Sequence, residues 1–111
     1  MNRGLIIRQP HIGKILDGIK TWEMRSTNTK IRGLIGLIEA GSGLIVGEAE
    51  IYKTYTYLTI AHLEHNRDKH QCDDISMLKK WRCAWVLKNA KRYDEPKPYK
   101  HPKGAVIWVK I

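Results

Sequence analysis

The chain has 111 residues, 42% hydrophobic and 28% charged, with 20 Lys and Arg against 11 Asp and Glu for a net charge of +9. That length supports one modest core, and no apolar run approaches the roughly 20 residues of a membrane helix, which argues against a membrane span. The cationic excess suits a polyanionic partner, because lysine and arginine displace the counterions condensed on phosphates.

The charge is not uniform. Residues 34–64 hold one Lys and four Glu, so the excess lies in residues 1–33 and 65–111, a distribution that predicts a basic face. Cys72 and Cys83 are too few for a disulfide framework and read as free thiols in a reducing compartment. Met1-Asn2-Arg3-Gly4 leads into a short apolar strand rather than a signal-peptide core, so a cytoplasmic location is the expectation.

Leu5-Ile6-Ile7 reads as a buried first strand. Pro10 suits the first turn of a helix, Ile12, Ile15, Leu16 and Ile19 follow at helical spacing, and Gly18 stops it. A second strand is expected over Thr21–Ser26, a third over Leu34–Ala40 and a fourth over Ile45–Tyr52. Gly36 and Gly47 lie inside strands, as the tight bends of a small closed barrel require. His62–His70 reads as a polar helix with a ragged end, and Asp74 as the cap of a short helix over Ile75–Trp81. Ala84–Leu87 and Ala105–Ile111 are the last two strands. Between them Lys91–Lys103, with three prolines, reads as a basic loop. The sum is a small mixed or antiparallel β-barrel with two or three peripheral helices.

Most of the chemistry falls in Gly18-Ile19-Lys20-Thr21-Trp22-Glu23-Met24-Arg25-Ser26. Strand alternation puts Thr21, Glu23 and Arg25 on one face and Trp22 and Met24 on the other, where core filling is the expected role for Trp22. Lys20 stands where the strand begins and can curl back over Glu23 or Arg25. Arg8-Gln9, one short helix upstream, adds a cation and an amide able to read a base edge. Two states of Lys20 stay open. Beside Arg25 and partly buried, it would have a lowered pKa and act as base or nucleophile; held by Glu23, it would stay charged and anchor a phosphate or carbonyl. The adjacent carboxylate favours the charged state. His62, His65, His70 and Cys72 match no common zinc spacing, so neither a metal nor another cofactor is expected.

Arg8-Gln9-Pro10, the Gly18–Ser26 stretch and Arg32-Gly33, in that order, resemble the ASCH family, named for a domain of activating signal cointegrator 1. Gly47-Glu48-Ala49, Trp85-Val86-Leu87 and Tyr99-Lys100-His101-Pro102-Lys103-Gly104-Ala105 also look like its small bacterial members, so the resemblance covers nearly the whole chain. It implies an α+β, mainly β fold, a PUA-like small β-barrel with residues 1–111 as a single ASCH domain. It also implies a basic cleft that holds RNA or a modified nucleoside. Arg8, Gln9, Lys20, Glu23 and Arg25 would form its floor, with Ser26 alongside and Lys69, His70 and Lys100 on the rim.

Two catalytic alternatives come with the family: an amidohydrolase acting on N4-acylcytidines through a Lys, a Thr and a Glu, and a metal-dependent ribonuclease. Lys20 matches the amidohydrolase lysine. The threonine's position, three residues on, is Glu23 here, and the region of the family's glutamate offers His70, Asp68 or Asp73. An enzyme of this chain would therefore work with Lys20 and Glu23. Docking of an acidic protein partner on the basic face is a third expectation, with no partner indicated.

Overall fold

The computed structural model describes residues 1–111. Six strands form one mixed sheet: β1 (Arg3–Ile7), β2 (Trp22–Arg25), β3 (Gly33–Glu39), β4 (Leu44–Tyr55), β5 (Cys83–Pro98) and β6 (Trp108–Lys110). Helix α1 (His11–Leu16) follows β1, and α2 (Ile60–His65), α3 (Arg67–His70) and a 3-10 turn at Ile75–Leu78 lie between β4 and β5. The strand order is β2-β5-β4-β3-β1-β6, antiparallel throughout except for the parallel β1–β3 pair. No helix is long and apolar enough to cross a membrane.

The sheet curls into a half-barrel because its long strands are repeatedly bulged. Register shifts fall between Leu37 and Ile38 in β3, and between Ile45 and Gly47, Glu48 and Glu50, and Ile51 and Lys53 in β4. Each bulge adds local right-handed twist. At Ala49, flanked by the pairs Glu48–Lys91 and Glu50–Lys88, the partner strand inserts Asn89 and Ala90, and Asn89 takes a left-handed φ of 54°.

Each face of the curled sheet carries a packed core. Inside, Ile12, Ile15 and Leu16 of α1 pack on Leu5, Ile7, Ile35, Leu37, Ala49, Ile51, Trp85 and Leu87. Outside, Leu58, Leu63, Ile75 and Leu78 pack on Trp22, Met24, Ala84 and Val86. A third cluster, Ile38, Ile45 and Val109, takes in Ile6, Tyr93 and Tyr99. Trp22 and Met24 thus fill core, as alternation along β2 requires.

Several segments differ from the sequence reading: the last strand is only Trp108–Lys110 rather than Ala105–Ile111, the fourth runs on to Tyr55, and the first helix ends at Leu16. The polar helix of 62–70 is two helices, broken at Asn66, and starts earlier because Thr59 caps it: the hydroxyl accepts from His62 N at 3.2 Å while Thr59 N donates to His62 Nδ1 at 3.3 Å. The helix after Asp74 stops at Leu78, although Asp74 does cap it through Ser76 N at 2.9 Å. The largest difference is β5, which continues through most of the expected loop to Pro98. β2 pairs only with Cys83–Val86, so the rest of β5 has one free edge. There a proline without an N–H costs no ladder bond, which is why Pro96 and Pro98 are tolerated.

Gly47 marks the closest approach of α1 to the sheet. A Cβ there would fall against the Lys91 carbonyl and 2.5 Å from Leu16 Cδ2. Overpacking against backbone costs about 1–3 kcal/mol. Gly47→Ala is therefore expected to lower the urea midpoint with an unchanged m-value, by about 2 kcal/mol of stability; an unchanged midpoint would show that both the β5 backbone and Leu16 can yield.

Candidate functional site

Local structure delivers Lys20 to its position. At the end of α1, Gly18 takes a φ of 78°, Gly18 N donates to Ile15 O at 3.0 Å and Ile19 N to Lys14 O at 2.9 Å. This is the Schellman arrangement that a glycine past a helix end permits. Lys14 O also accepts from Lys20 N at 3.1 Å, and Thr21 N then donates to Lys69 O at 3.0 Å. Lys20 is turned inward as a result and is only 2% exposed. Its Nζ donates to the carbonyl of His70, whose backbone ends α3.

The His70 ring is a brace. Nε2 meets Leu63 O at 2.8 Å and Nδ1 accepts from Cys72 N at 3.0 Å, which fixes the neutral tautomer protonated on Nε2. Burial also lowers its pKa. His70 therefore serves the cluster through its carbonyl, whereas its ring ties α2 to the turn after α3.

Glu23 is 6% exposed. Its Oε2 accepts two bonds from Arg25, from Nη2 at 2.8 Å and from Nε at 3.2 Å, while Oε1 carries none. Arg25 Nη2 also donates to Ile6 O at 2.8 Å, and the guanidinium lies 5.5 Å from the Trp85 ring centre. Trp85 in turn stacks on Trp108 at 5.8 Å and anchors its Nε1 on Thr27 O at 3.0 Å. The charged face of β2 thus points into the half-barrel rather than to solvent.

Two further groups belong to this cluster. His11, in the first turn of α1, feels the charges of Lys20, Glu23, Lys14 and Arg25, and its buried Nδ1 has no hydrogen-bond partner. Cys72 lies within reach of Lys20 and Glu23, and burial pushes its thiol pKa up. Burial, more than the neighbouring lysine, pushes the His11 pKa down. For Lys20 the sequence favoured a carboxylate-raised basicity. The structure gives the reverse: burial lowers the pKa, and the opposing effect of Glu23 is the smaller one.

The other expected site residues are spread around this core. Arg8 is exposed and makes no ion pair. Gln9 is occupied, with Nε2 on Glu39 Oε1 at 2.6 Å and Oε1 on Gly13 N at 3.2 Å. Ser26 is exposed just past β2. Lys69 faces away from Lys20, 5.5 Å from the Trp22 ring centre. Lys100 is exposed in the loop after β5 and shares no hydrogen bond or ion pair with the cluster. His11 was legible in principle: it lies four residues before Ile15, on the buried face of α1. Cys72 had no such signal, because the turn after α3 places it.

The strand order and curl, with α1 packed on the inner face, are those of a mainly β half-barrel of the ASCH/PUA-like fold. The sequence model of the ASCH domain matches residues 5–97, and the chain belongs to that family. The crystal structure of ASCH from Zymomonas mobilis superposes with a TM-score of 0.75 at 10% identity, covering 98% of this chain and 86% of that one. Two single-residue variants of the Zymomonas protein each give 0.74 at 10% identity, covering 98% of this chain and 87% and 88% of theirs. At that identity the likeness concerns the fold alone. No curated protein sequence matches the chain.

The histidine pKa values set a pH dependence. Both His11 and His70 are held below their ordinary 6.5 by burial. Below about that pH the unfolded chain binds protons that the folded chain does not, so stability falls as pH falls. The lowered carboxylates, Glu64 and Asp74, start from 4.5 and 3.8 and act at lower pH. The melting temperature is expected to drop between about pH 7.5 and about pH 5, and to drop less in His11→Asn. Parallel profiles for the two proteins would show that His11 titrates as if in water.

Proposed function

We propose that the cluster binds the polar edge of a nucleobase, as a free nucleoside or as one base of an RNA. The observation that carries this reading is the unfilled hydrogen-bonding capacity in a buried place. His11 Nδ1 is buried without a partner, Glu23 Oε1 accepts nothing, and Lys20 Nζ uses one of its three protons. Native interiors rarely leave a buried nitrogen such as His11 Nδ1 open without a reason, and Glu23 Oε1 beside it keeps some contact with solvent and is free to accept from a ligand. The set comprises one acceptor, one strong donor and a histidine able to play either part. It complements a cytosine-type edge, where an amine sits beside ring-nitrogen and carbonyl acceptors. A phosphate backbone is a poorer fit, because Lys20 and Glu23 are 2% and 6% exposed and a solvated chain does not reach that depth, whereas a base need present only its polar edge.

A second reading has its own support. A desolvated Lys20 with a lowered pKa is suited to accept a proton or attack an acyl carbon, which favours amide hydrolysis on an N4-acylated cytosine in the same cluster. Glu23 stands where the family's amidohydrolases carry threonine, and Thr21 lines an outer cleft instead, so no hydroxyl replaces it inside. Binding is therefore the reading we retain first.

Lys20→Met tests both at once. Lys20→Met leaves no carboxylate buried and unpaired, because Glu23 keeps both bonds to Arg25, so the variant is expected to fold. Cytidine and N4-acetylcytidine are expected to bind the parent more tightly than uridine, by titration calorimetry, and to lose at least about tenfold in Lys20→Met and in Glu23→Gln. Chromatography of N4-acetylcytidine incubated with the parent separates the readings: release of cytidine makes the site hydrolytic. Equal, weak affinity of the parent and both folded variants for all three nucleosides would remove the cluster from any such role.

A further inference from the structure

On the outer side of the sheet, a cleft of about 330 Å³ lies between β2, the last residues of β4, the middle of β5 and α3. It is distinct from the buried cluster, although the two meet back to back. Lys20 and the His70 carbonyl face inward, while their chain neighbours Thr21 and Lys69 line the cleft. Its volume is at the low end of small-ligand pockets, about 300–1,000 Å³.

The lining is three cations and three rings with no carboxylate among its nine residues. The cations are interleaved with the rings. Lys53 Nζ lies 5.5 Å from the Tyr52 ring centre and 5.1 Å from that of Tyr55, Lys88 lies 5.1 Å from Tyr52, and Lys69 lies 5.5 Å from Trp22. Trp22 is buried and backs Tyr55 at 5.4 Å, whereas Tyr52 and Tyr55 are 45% and 38% exposed. Both tyrosine rings are therefore open to a ligand from solvent. The nearest anion is Glu50, 3.9 Å from Lys88 and itself solvent-exposed in part.

We propose that this cleft is a second binding site, for single-stranded nucleic acid, with Tyr52 and Tyr55 as base-stacking platforms and Lys53, Lys69 and Lys88 as phosphate contacts. The exchange is favourable on its magnitudes. An exposed lysine over a ring contributes about 0.5–1 kcal/mol, while a base stacked on an aromatic contributes about 1–3 kcal/mol and frees the lysine for a phosphate. Duplex is disfavoured, because its bases are already stacked on one another and present no free face. The proposal does not depend on the nucleobase reading of the inner cluster.

The test is fluorescence anisotropy of end-labelled oligo(U) and oligo(dT), each about ten nucleotides long, across a salt series. Parent protein is compared with a Lys53→Gln/Lys69→Gln/Lys88→Gln triple variant. A control triple, Lys97→Gln/Lys100→Gln/Lys103→Gln, removes the same charge elsewhere. The cleft variant is expected to lose at least about tenfold in affinity and about 2 from the salt slope, at about 0.7 per phosphate contact on a single strand. The control is expected to stay within about threefold. Tyr52→Leu/Tyr55→Leu should weaken binding at an unchanged salt slope. Binding of both oligomers fits phosphate and base contacts alone, and binding of oligo(U) only adds a contact to the 2′-hydroxyl. Equal losses in the two lysine triples, a preference for duplex, or no binding by the parent at low salt would overturn the proposal.

Discussion

The ion pair between Glu23 and Arg25 holds the structure's seam. β2 ends the strand order on one side, and β1 lies next to last on the other. Arg25 spans the gap by donating to Ile6 O, just past the last β1–β6 pair at Leu5 and Trp108, where the Ile6 amide still donates to Ile107 O at 2.9 Å. A half-barrel has two open edges, each a row of unpaired backbone groups. Here one guanidinium satisfies an edge carbonyl, a carboxylate and a tryptophan face together, so a side chain completes what the strands leave open.

That arrangement places charges where apolar residues would pack more cheaply. Removing an ion from water costs several kcal/mol even after relaxation, and a buried pair recovers it only with good geometry and further hydrogen bonds. Glu23 and Arg25 meet that condition through two bonds between them and the Ile6 carbonyl. Lys20 meets it less fully, with a single bond to the His70 carbonyl and a pKa that burial has lowered. The cluster is thus uneven: one well-satisfied pair that closes the fold, and one under-satisfied amine beside an unpartnered imidazole nitrogen. The proposed binding role rests on that unevenness.

Much of this was legible in the residues. Alternation along Trp22–Arg25 separates core from charge, Gly18 announces the turn that presents Lys20, and glycines within strands point to tight curvature. What the sequence concealed is depth. Alternation says that Glu23 and Arg25 share a face, and a polar face is ordinarily solvated; only the curl of the sheet and the packing of α1 make it an interior. The same curl reverses the expected direction for Lys20, because desolvation has no local signature while a neighbouring Glu does. Lys91–Pro98 misled for a similar reason. Proline marks a loop unless one edge of a strand is free, and that depends on how short β2 is, a property of a segment about seventy residues earlier.

The most direct measurement is an NMR pH titration of the Lys20 side chain, followed through its amine nitrogen or adjacent carbon and assigned by its loss in Lys20→Met. A buried, under-satisfied amine requires a midpoint below the ordinary 10.5, and a lower one still in Glu23→Gln, since Glu23 acts to raise it. A midpoint at or above 10.5 in the parent protein would mean that Lys20 is solvated or firmly paired, and the cluster would then be no more than the clasp of the half-barrel.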